Sequence, residues 1–456
     1  MFPRKKYYQF LIILSSFVYS QDVYSAYGIG ELLLSHNASV IGAGSTGLMP
    51  NFQKNVSLSN PSTWTDMPFA YISINYGGLQ IIDKINNREN ILSGLHQFQF
   101  ILPIKGKYAI GISFQPYSSQ LYSLYSNNTD IKYIEQDTIN FNSYLNGGGG
   151  ISDLSFSLSA RFSKTEKGAL KFNYLFGSSR NQISYSMNDG NNGLDDDFDG
   201  LIDEEGENDI NYIYNQRNIY DGTLISGYLS SNRINIGKRK LTISASFNSV
   251  FNSFRVKNYS FYPFEDVNNN GYYDLSDYPT PAGNDSIPPT ALKYEYKKLF
   301  IPSQYSIGLN LEMSDLLNLQ AELSNWSDLA NGENNVLSNL NYQLTDYQHF
   351  NISAIRFARA LPRYWYESLH FRSGLFVRKY NLKMYATNET DFNQYDYNDI
   401  GLSIGVGIKF GLTKNQLDFG LNLINRSDSI NNDKFITNFN IGLTIGDIWF
   451  VKRRAK

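Results

Sequence analysis

Residues 147–186 read GGGGISDLSFSLSARFSKTEKGALKFNYLFGSSRNQISYS, and this stretch decides the fold class. In its first half Leu154, Phe156, Leu158, Ala160 and Phe162 fall on one face, and Ser155, Ser157, Ser159 and Arg161 on the other. A polar turn follows, Ser163 to Gly168. The second half resumes with Leu170, Phe172, Tyr174 and Phe176 opposite Lys171, Asn173 and Leu175. Period-two alternation marks a strand with one apolar and one wet face. Two such strands across a short polar turn make an antiparallel hairpin.

The same unit recurs along the chain. Apolar positions alternate over Ile72–Tyr76, Phe98–Ile104, Tyr108–Phe114, Leu241–Phe247, Ile307–Leu311 and Leu317–Leu323. They do so again over Leu402–Phe410, Leu417–Leu423 and Phe439–Ile445. The apolar faces carry essentially no charge, and the other faces are small or polar rather than laced with ion pairs. A soluble sandwich or propeller would also bury apolar stripes. A membrane barrel turns them to lipid and the polar face to the lumen. The pattern predicts an all-β chain, a transmembrane antiparallel β-barrel of about 14 strands, an even number as bacterial barrels use.

Composition agrees. Among 456 residues there is no cysteine, so disulfides, a lipidated cysteine and thiolate chemistry are excluded. Mean hydropathy is −0.36. After the first twenty residues no run of about 18 apolar residues occurs, so helical spans are excluded. Aromatic content is 15%, with 35 Tyr and 30 Phe. Arg4, Lys5 and Lys6 precede an apolar stretch, Phe10 to Val18, and Val18-Tyr19-Ser20 offers a cleavage site. Residues 1–20 therefore read as a signal peptide, whose removal takes away three cations and moves the formal charge of −3 to a more acidic value. Export and alternation together place the chain in the outer membrane of a Gram-negative-type bacterium, with outer-membrane lipid as its solvent.

Residues 21–68 do not alternate. They contain Gly42, Gly44 and Gly47 in a formal GxGxxG pattern. A dinucleotide site would need a strand before, a helix after and an acidic residue beyond. Pro50 interrupts any such helix, so the glycines are read as allowing tight turns in a confined space.

Two acidic inserts, 187–209 and 263–288, interrupt the barrel pattern. In the second, Asp266, Asn268, Asn270, Asp274 and Asp277 fall at positions 1, 3, 5, 9 and 12 of a calcium loop. Gly271 supplies the sharp turn and the Tyr272 carbonyl the seventh position. In the first, Asp195, Asp197, Asp199, the Leu201 carbonyl and Asp203 fit the same frame, with Gly200 at the turn. Its last position is Gly206, so Glu205 or Glu207 would close the shell. Both are expected to hold structural Ca²⁺ in loops on the outer face, because the chain between them fits one hairpin turning near Gly237 and long loops lie outside.

Three places carry a family resemblance. These are Tyr24-Ser-Ala-Tyr27-Gly28-Ile-Gly30 with Gly42-x-Gly44-x-x-Gly47 and Asn60-Pro61-Ser62, then the Gly148-Gly-Gly150 turn through to Tyr174-Leu-Phe176-Gly177-Ser178. The third is the ending Gly442 to Phe450 before a basic tail. The chain resembles the FadL-type outer-membrane transport proteins in their Bacteroidota-like form. The resemblance implies a fourteen-stranded barrel, a lumen plug formed by residues 21–68, and a lateral route for hydrophobic compounds. Residues 69–456 would form the barrel, and Asn60 and Pro61 would anchor the plug where it begins. The calcium-like inserts and the tail beyond Phe450 depart from the family pattern.

Enzyme chemistry is not expected. His36, His96, His349 and His370 are scattered without an HExxH pair, and no Ser/His/Asp grouping emerges. No basic patch interleaved with aromatics points to nucleic acid. The leading expectation is a channel admitting small hydrophobic, fatty-acid-like molecules. The alternatives are a general diffusion porin, or a structural or secretion-accessory barrel with a periplasmic or secretion partner. Calcium in the inserts has a direct check. Chelation should make 187–209 and 263–288 markedly more sensitive to protease, and unchanged cleavage would refute the metal.

Overall fold

Alternation makes strands, but closure of a sheet depends on which strands meet. A computed structural model describes residues 23–33, 36–83, 88–134, 137–188, 209–231, 234–237, 239–261, 264–265, 278–279, 292–330, 342–359, 362–384, 393–411, 415–428 and 433–447. The strands are β1 (Glu31–Leu32), β2 (Ala70–Asp83), β3 (Arg88–Ile104), β4 (Tyr108–Ser119), β5 (Tyr122–Ile134), β6 (Asp137–Arg161) and β7 (Glu166–Asn188). They continue with β8 (Asp209–Ser231), β9 (Ile234–Ile236), β10 (Arg239–Ser260), β11 (Phe264–Glu265), β12 (Tyr278–Pro279), β13 (Leu292–Lys297) and β14 (Pro302–Glu312). The last six are β15 (Leu317–Asp328), β16 (Tyr342–Arg356), β17 (Leu369–Met384), β18 (Asn393–Phe410), β19 (Asn415–Asp428) and β20 (Lys434–Asp447).

The wall consists of β2, β3, β4, β6, β7, β8, β10 and β14 to β20, a closed 14-strand antiparallel barrel. Closure is by β2 against β20, in register from Ala70↔Asp447 to Asp83↔Lys434. Closure matters because lipid offers no hydrogen-bond partner to an open edge.

Burial is inverted relative to a water-soluble protein. Ile404 is 49% exposed, whereas its neighbour Ser403 is 0% exposed. The same holds around the wall. Ile72, Phe156, Phe172, Ile307, Leu323 and Ile352 are exposed, and Ser73, Ser155, Asn173, Ser306, Ser324 and Asn351 are buried. The outward band is therefore apolar and the inward faces are polar, as a lipid-embedded barrel requires.

Short turns, such as Lys105–Lys107 and the one before Leu317, join strands at the end where β2 begins and β20 finishes. Longer connections gather at the other end, which is the outer face by the usual asymmetry. Asn188, Asp209 and Ser260 all lie at that outer end, so both acidic inserts leave from one rim. The calcium-loop residues Asp195, Asp197, Asp199, Leu201, Asp203, Asp266, Asn268, Asn270, Tyr272, Asp274 and Asp277 lie outside the described residues, as does the signal segment.

The expected turn at Gly148–Gly150 is corrected. These glycines lie inside β6, a strand of 25 residues. Gly149 and Gly150 adopt φ of 105° and 147°. A Cβ at Gly149 would collide with the Ser178 carbonyl, and one at Gly150 with the Ser118 carbonyl. The run bends a long strand between two close backbones without ending it. Residues 115–146 are also mostly strand among the described residues, formed by the end of β4, β5 and the start of β6. A tilted span needs about 9–11 residues, so β6, β7, β8 and β10 rise well past the bilayer.

The lipid assignment has a quantitative consequence. Ile404→Arg, near the middle of the apolar band, should lower unfolding stability in lipid vesicles by about 2–4 kcal/mol. A change below about 0.5 kcal/mol in a denaturant titration, the usual range for a surface site, would contradict a lipid-facing position.

Candidate functional site: the lumen and a seam in its wall

Residues 36–66 occupy the inner half of the lumen, where small and polar residues meet polar inward faces and Phe52, Val56, Leu58 and Trp64 pack with Tyr71, Ile101 and Ala109 of the wall. A four-residue helix, α1 (Ala38–Ile41), is buried throughout. The Ala38 N–H donates to Asn75 Oδ1 at 3.0 Å. Gly42 follows as its cap, and a Cβ there would stand 2.6 Å from the Gly405 Cα, so chain and wall touch backbone to backbone. The carbonyl of Gly44 lies 3.1 Å from His349 Nε2. Gly47 offers its carbonyl to the Ser57 hydroxyl.

Charged side chains of the wall fasten this segment. Buried Glu322 accepts from the Thr46 N–H at 2.7 Å, the Thr46 hydroxyl at 2.5 Å and the Met49 N–H at 2.7 Å. Arg372 donates to the Asn51 carbonyl at 2.9 Å and to Asp418 at 2.7 Å. At the rim, Asp66 is gripped by Arg161 and Lys167. Asn60 caps the 3-10 turn Pro61–Asp66, accepting from the Ser62 N–H at 3.1 Å and donating to the Leu48 carbonyl at 2.8 Å. The Pro61 carbonyl takes a hydrogen bond from Ser159 at 2.6 Å. Thus Gly42, Gly44, Gly47, Asn60 and Pro61 all lie in one luminal floor.

The outer half of the lumen is apolar and aromatic. Tyr24, Tyr117, Tyr220, Phe254, Phe300 and Trp326 belong to one buried cluster that crosses it. Trp326 Nε1 donates to the Tyr117 hydroxyl at 3.1 Å. The Tyr380 and Tyr397 rings stack at 4.3 Å. Arg426 lies against this layer, 4.8 Å from the Tyr397 ring and 5.0 Å from that of Tyr24. It donates to Asp399 at 2.8 Å and to Glu31 at 3.3 Å.

Between floor and layer lies a polar cavity of about 130 Å³. Its lining includes Gln97, Gln99, Gln115, Asp153, Lys171 and Asn173. Asp153 accepts from Asn173 at 2.8 Å and from Gln115 at 3.2 Å, with the Lys171 ammonium 3.7 Å away. Such a space suits a few ordered waters. His36, from the luminal segment, borders it. Burial, with His96 and Lys171 nearby, pushes the pKa of His36 down to about 3. It therefore stays neutral at physiological pH.

A seam interrupts the wall between β3 and β4. The β3–β4 ladder runs from Ile104↔Tyr108 to Phe98↔Phe114 and stops. Two local irregularities account for this. His96 is an extra residue in β3, since pairing with β2 jumps from Asn75↔Gln97 to Tyr76↔Leu95. In β4, Pro116 has no N–H to give, and the register with β6 shifts between Pro116 and Ser118. Beyond that point β4 pairs with β1, at Glu31↔Ser119 and Leu32↔Ser118. The Leu33 N–H donates to the Tyr117 carbonyl at 3.0 Å. The N-terminal segment thus continues the ladder where β3 leaves it, beside the aromatic layer.

Sequence reasoning missed Glu322, Arg372 and Arg426. Each sits at an inward position of an alternating strand, and a charge on a face destined for burial was the available signal. His349 and His370 are buried, and among the described residues no cluster of three or more acids and histidines could hold a metal.

The sequence profile of the BamG family matches residues 3–456. No curated protein matches the chain. Among solved structures, a FadL homologue of Pseudomonas aeruginosa is 12% identical and aligns over 91% of this chain and 98% of its own, with a TM-score of 0.50. The Ralstonia pickettii toluene transporter TbuX is 12% identical, covering 94% and 98%, with a TM-score of 0.47. The monoaromatic hydrocarbon channel CymD is 12% identical, covering 94% and 100%, with a TM-score of 0.49. At this identity the FadL homologue supports the fold.

Glu322 is the sharpest test of the floor. Glu322→Ala strands the half-buried Thr46 and buried Met49 N–H groups and should cost about 1–3 kcal/mol. Amide exchange at Thr46 and Met49 should accelerate. Unaltered exchange there would contradict the role of Glu322.

Proposed function

The chain belongs to the BamG family, and we propose that it passes small apolar molecules between its lumen and the surrounding bilayer through the seam beside β4. The observation that carries this reading is the placement of β1. Two residues, Glu31 and Leu32, extend the ladder of β4 next to the aromatic layer, and the outer surface beside the seam is apolar, with Leu95, Phe98 and Phe114 exposed. A molecule at home in both layer and lipid can cross there without traversing the polar floor. Residues 21–68 then act as the plug, and β1 as its movable edge. The filled floor and the apolar layer both speak against a general diffusion porin.

Fatty-acid-like molecules fit this chemistry. When β1 moves, Glu31 leaves Arg426, which keeps Asp399 and gains room for a ligand carboxylate. The apolar tail takes the aromatic layer. The energetic requirement is modest, because two strand pairs are broken while the rest of the barrel keeps its ladder.

The absence of native cysteine makes a clean test. Leu32→Cys with Ser118→Cys places two thiols at paired positions of β1 and β4. In vesicles, oxidation should slow uptake of a fluorescent fatty acid at least about tenfold, corresponding to about 1.4 kcal/mol. Reduction should restore it, and each single variant should be indifferent to oxidant. Undiminished uptake by the cross-linked protein would overturn the lateral route.

A further inference from the structure

The outer wall carries a concavity on the periplasmic side of the seam. It lies on the lipid side of β4, β6, β7, β8 and β10, near the short-turn end, with a volume of about 830 Å³. Its floor is made of small residues brought together by register. Ala160 pairs with Gly168, Gly168 with Leu229, Leu229 with Ala245, and Gly227 with Phe247. Around them stand Tyr108, Phe162, Leu229 and Phe247. Phe162 and Leu229 lean over Gly168, where a Cβ would stand 2.6 Å from Phe162 Cε2. A Cβ at Gly227 would meet nothing within 4 Å, so the floor is open at that point.

Immediately below the concavity the charge is basic. Lys105 and Lys107 are exposed on the β3–β4 turn, and Lys164 on the β6–β7 turn. Arg239 and Lys240 are exposed at the start of β10. The Lys107 ammonium lies 5.4 Å from the Tyr108 ring, at the lip of the groove. Glu166 is the exposed acid on these turns, and Asp66 beneath them is engaged by Arg161 and Lys167. This end of the barrel faces the periplasm, where the adjoining leaflet is phospholipid.

We propose that this groove is a binding site for an acidic phospholipid, with an acyl chain over Ala160, Gly168, Gly227 and Ala245 and the phosphate on Lys107 and Lys164. Apolar area drives the chain into the groove, and basic residues at the headgroup level add attraction for anionic lipid. The groove supplies what the flat wall does not, a recess in which one chain is held while its headgroup meets fixed cations.

The test uses the purified full chain in detergent, with bound lipid counted by native mass spectrometry. Phosphatidylglycerol and phosphatidylcholine of identical chains are supplied together. One phosphatidylglycerol should be retained in at least about tenfold preference. Lys107→Gln with Lys164→Gln should lose that preference while leaving phosphatidylcholine retention unchanged, because each cation near the headgroup contributes roughly fivefold. Gly227→Phe fills the groove and should lose both lipids. Heat-modifiable migration reports that each variant is a folded barrel, and Ala245→Leu replaces Gly227→Phe if the latter fails to fold. Equal retention of the two lipids by the native chain would overturn the proposal. So would undiminished phosphatidylglycerol binding in the lysine and groove-filling variants.

Discussion

Hydrocarbon offers no partner to a backbone N–H or carbonyl, so a barrel in lipid must complete its own ladder. In this wall the β3–β4 ladder stops at Phe98 and Phe114, inside the apolar band. The continuation is supplied by β1, a piece of the N-terminal segment. That substitution ties together features otherwise unrelated. It fixes where the segment runs, brings Glu31 to Arg426, and seats Tyr24 against the aromatic layer. β1 is joined to the wall by a short pairing and not by a continuous strand.

The lumen separates two kinds of packing. Near the periplasm the segment is held by buried charges, Glu322 accepting from Thr46 and Met49 and Arg372 donating to the Asn51 carbonyl. Such groups hold position because leaving them unpaired is costly, more than because pairing them adds stability. Toward the outer face aromatic packing prevails, as around Phe254 and Phe300, with the Arg426 pairing to Asp399 and Glu31 set against it. The first half resists rearrangement. The second is held largely by apolar side-chain contacts, the kind of lining that the proposed hydrophobic passage requires.

Much of this was legible in the sequence, and the limit has a physical cause. Alternation with period two is local, so the strands around Leu154–Phe162 and Leu402–Phe410, the inverted burial and the count of fourteen follow from the chain alone. Register and close approach are not local. Gly148–Gly150 read as a turn because glycine marks turns, whereas here it lets β6 bend beneath Ser118 and Ser178. Gly42, Gly44 and Gly47 read as glycines that let a confined segment turn tightly, while Asn60 and Pro61 entered only as the anchor that the family resemblance implies. Glu322 and Arg372 were not legible, because their partners are 273 and 321 residues away. The seam was invisible for the same reason, although Pro116 in an alternating strand was its one local sign.

The central claim is that the N-terminal segment closes the barrel to axial flow while its edge opens sideways. Single-channel conductance in a planar bilayer tests it most directly, with the full chain compared to one lacking residues 23–66. The account predicts low conductance in the full chain and a large, sustained rise on deletion. High conductance in both would mean that an aqueous path bypasses the segment, and would contradict it.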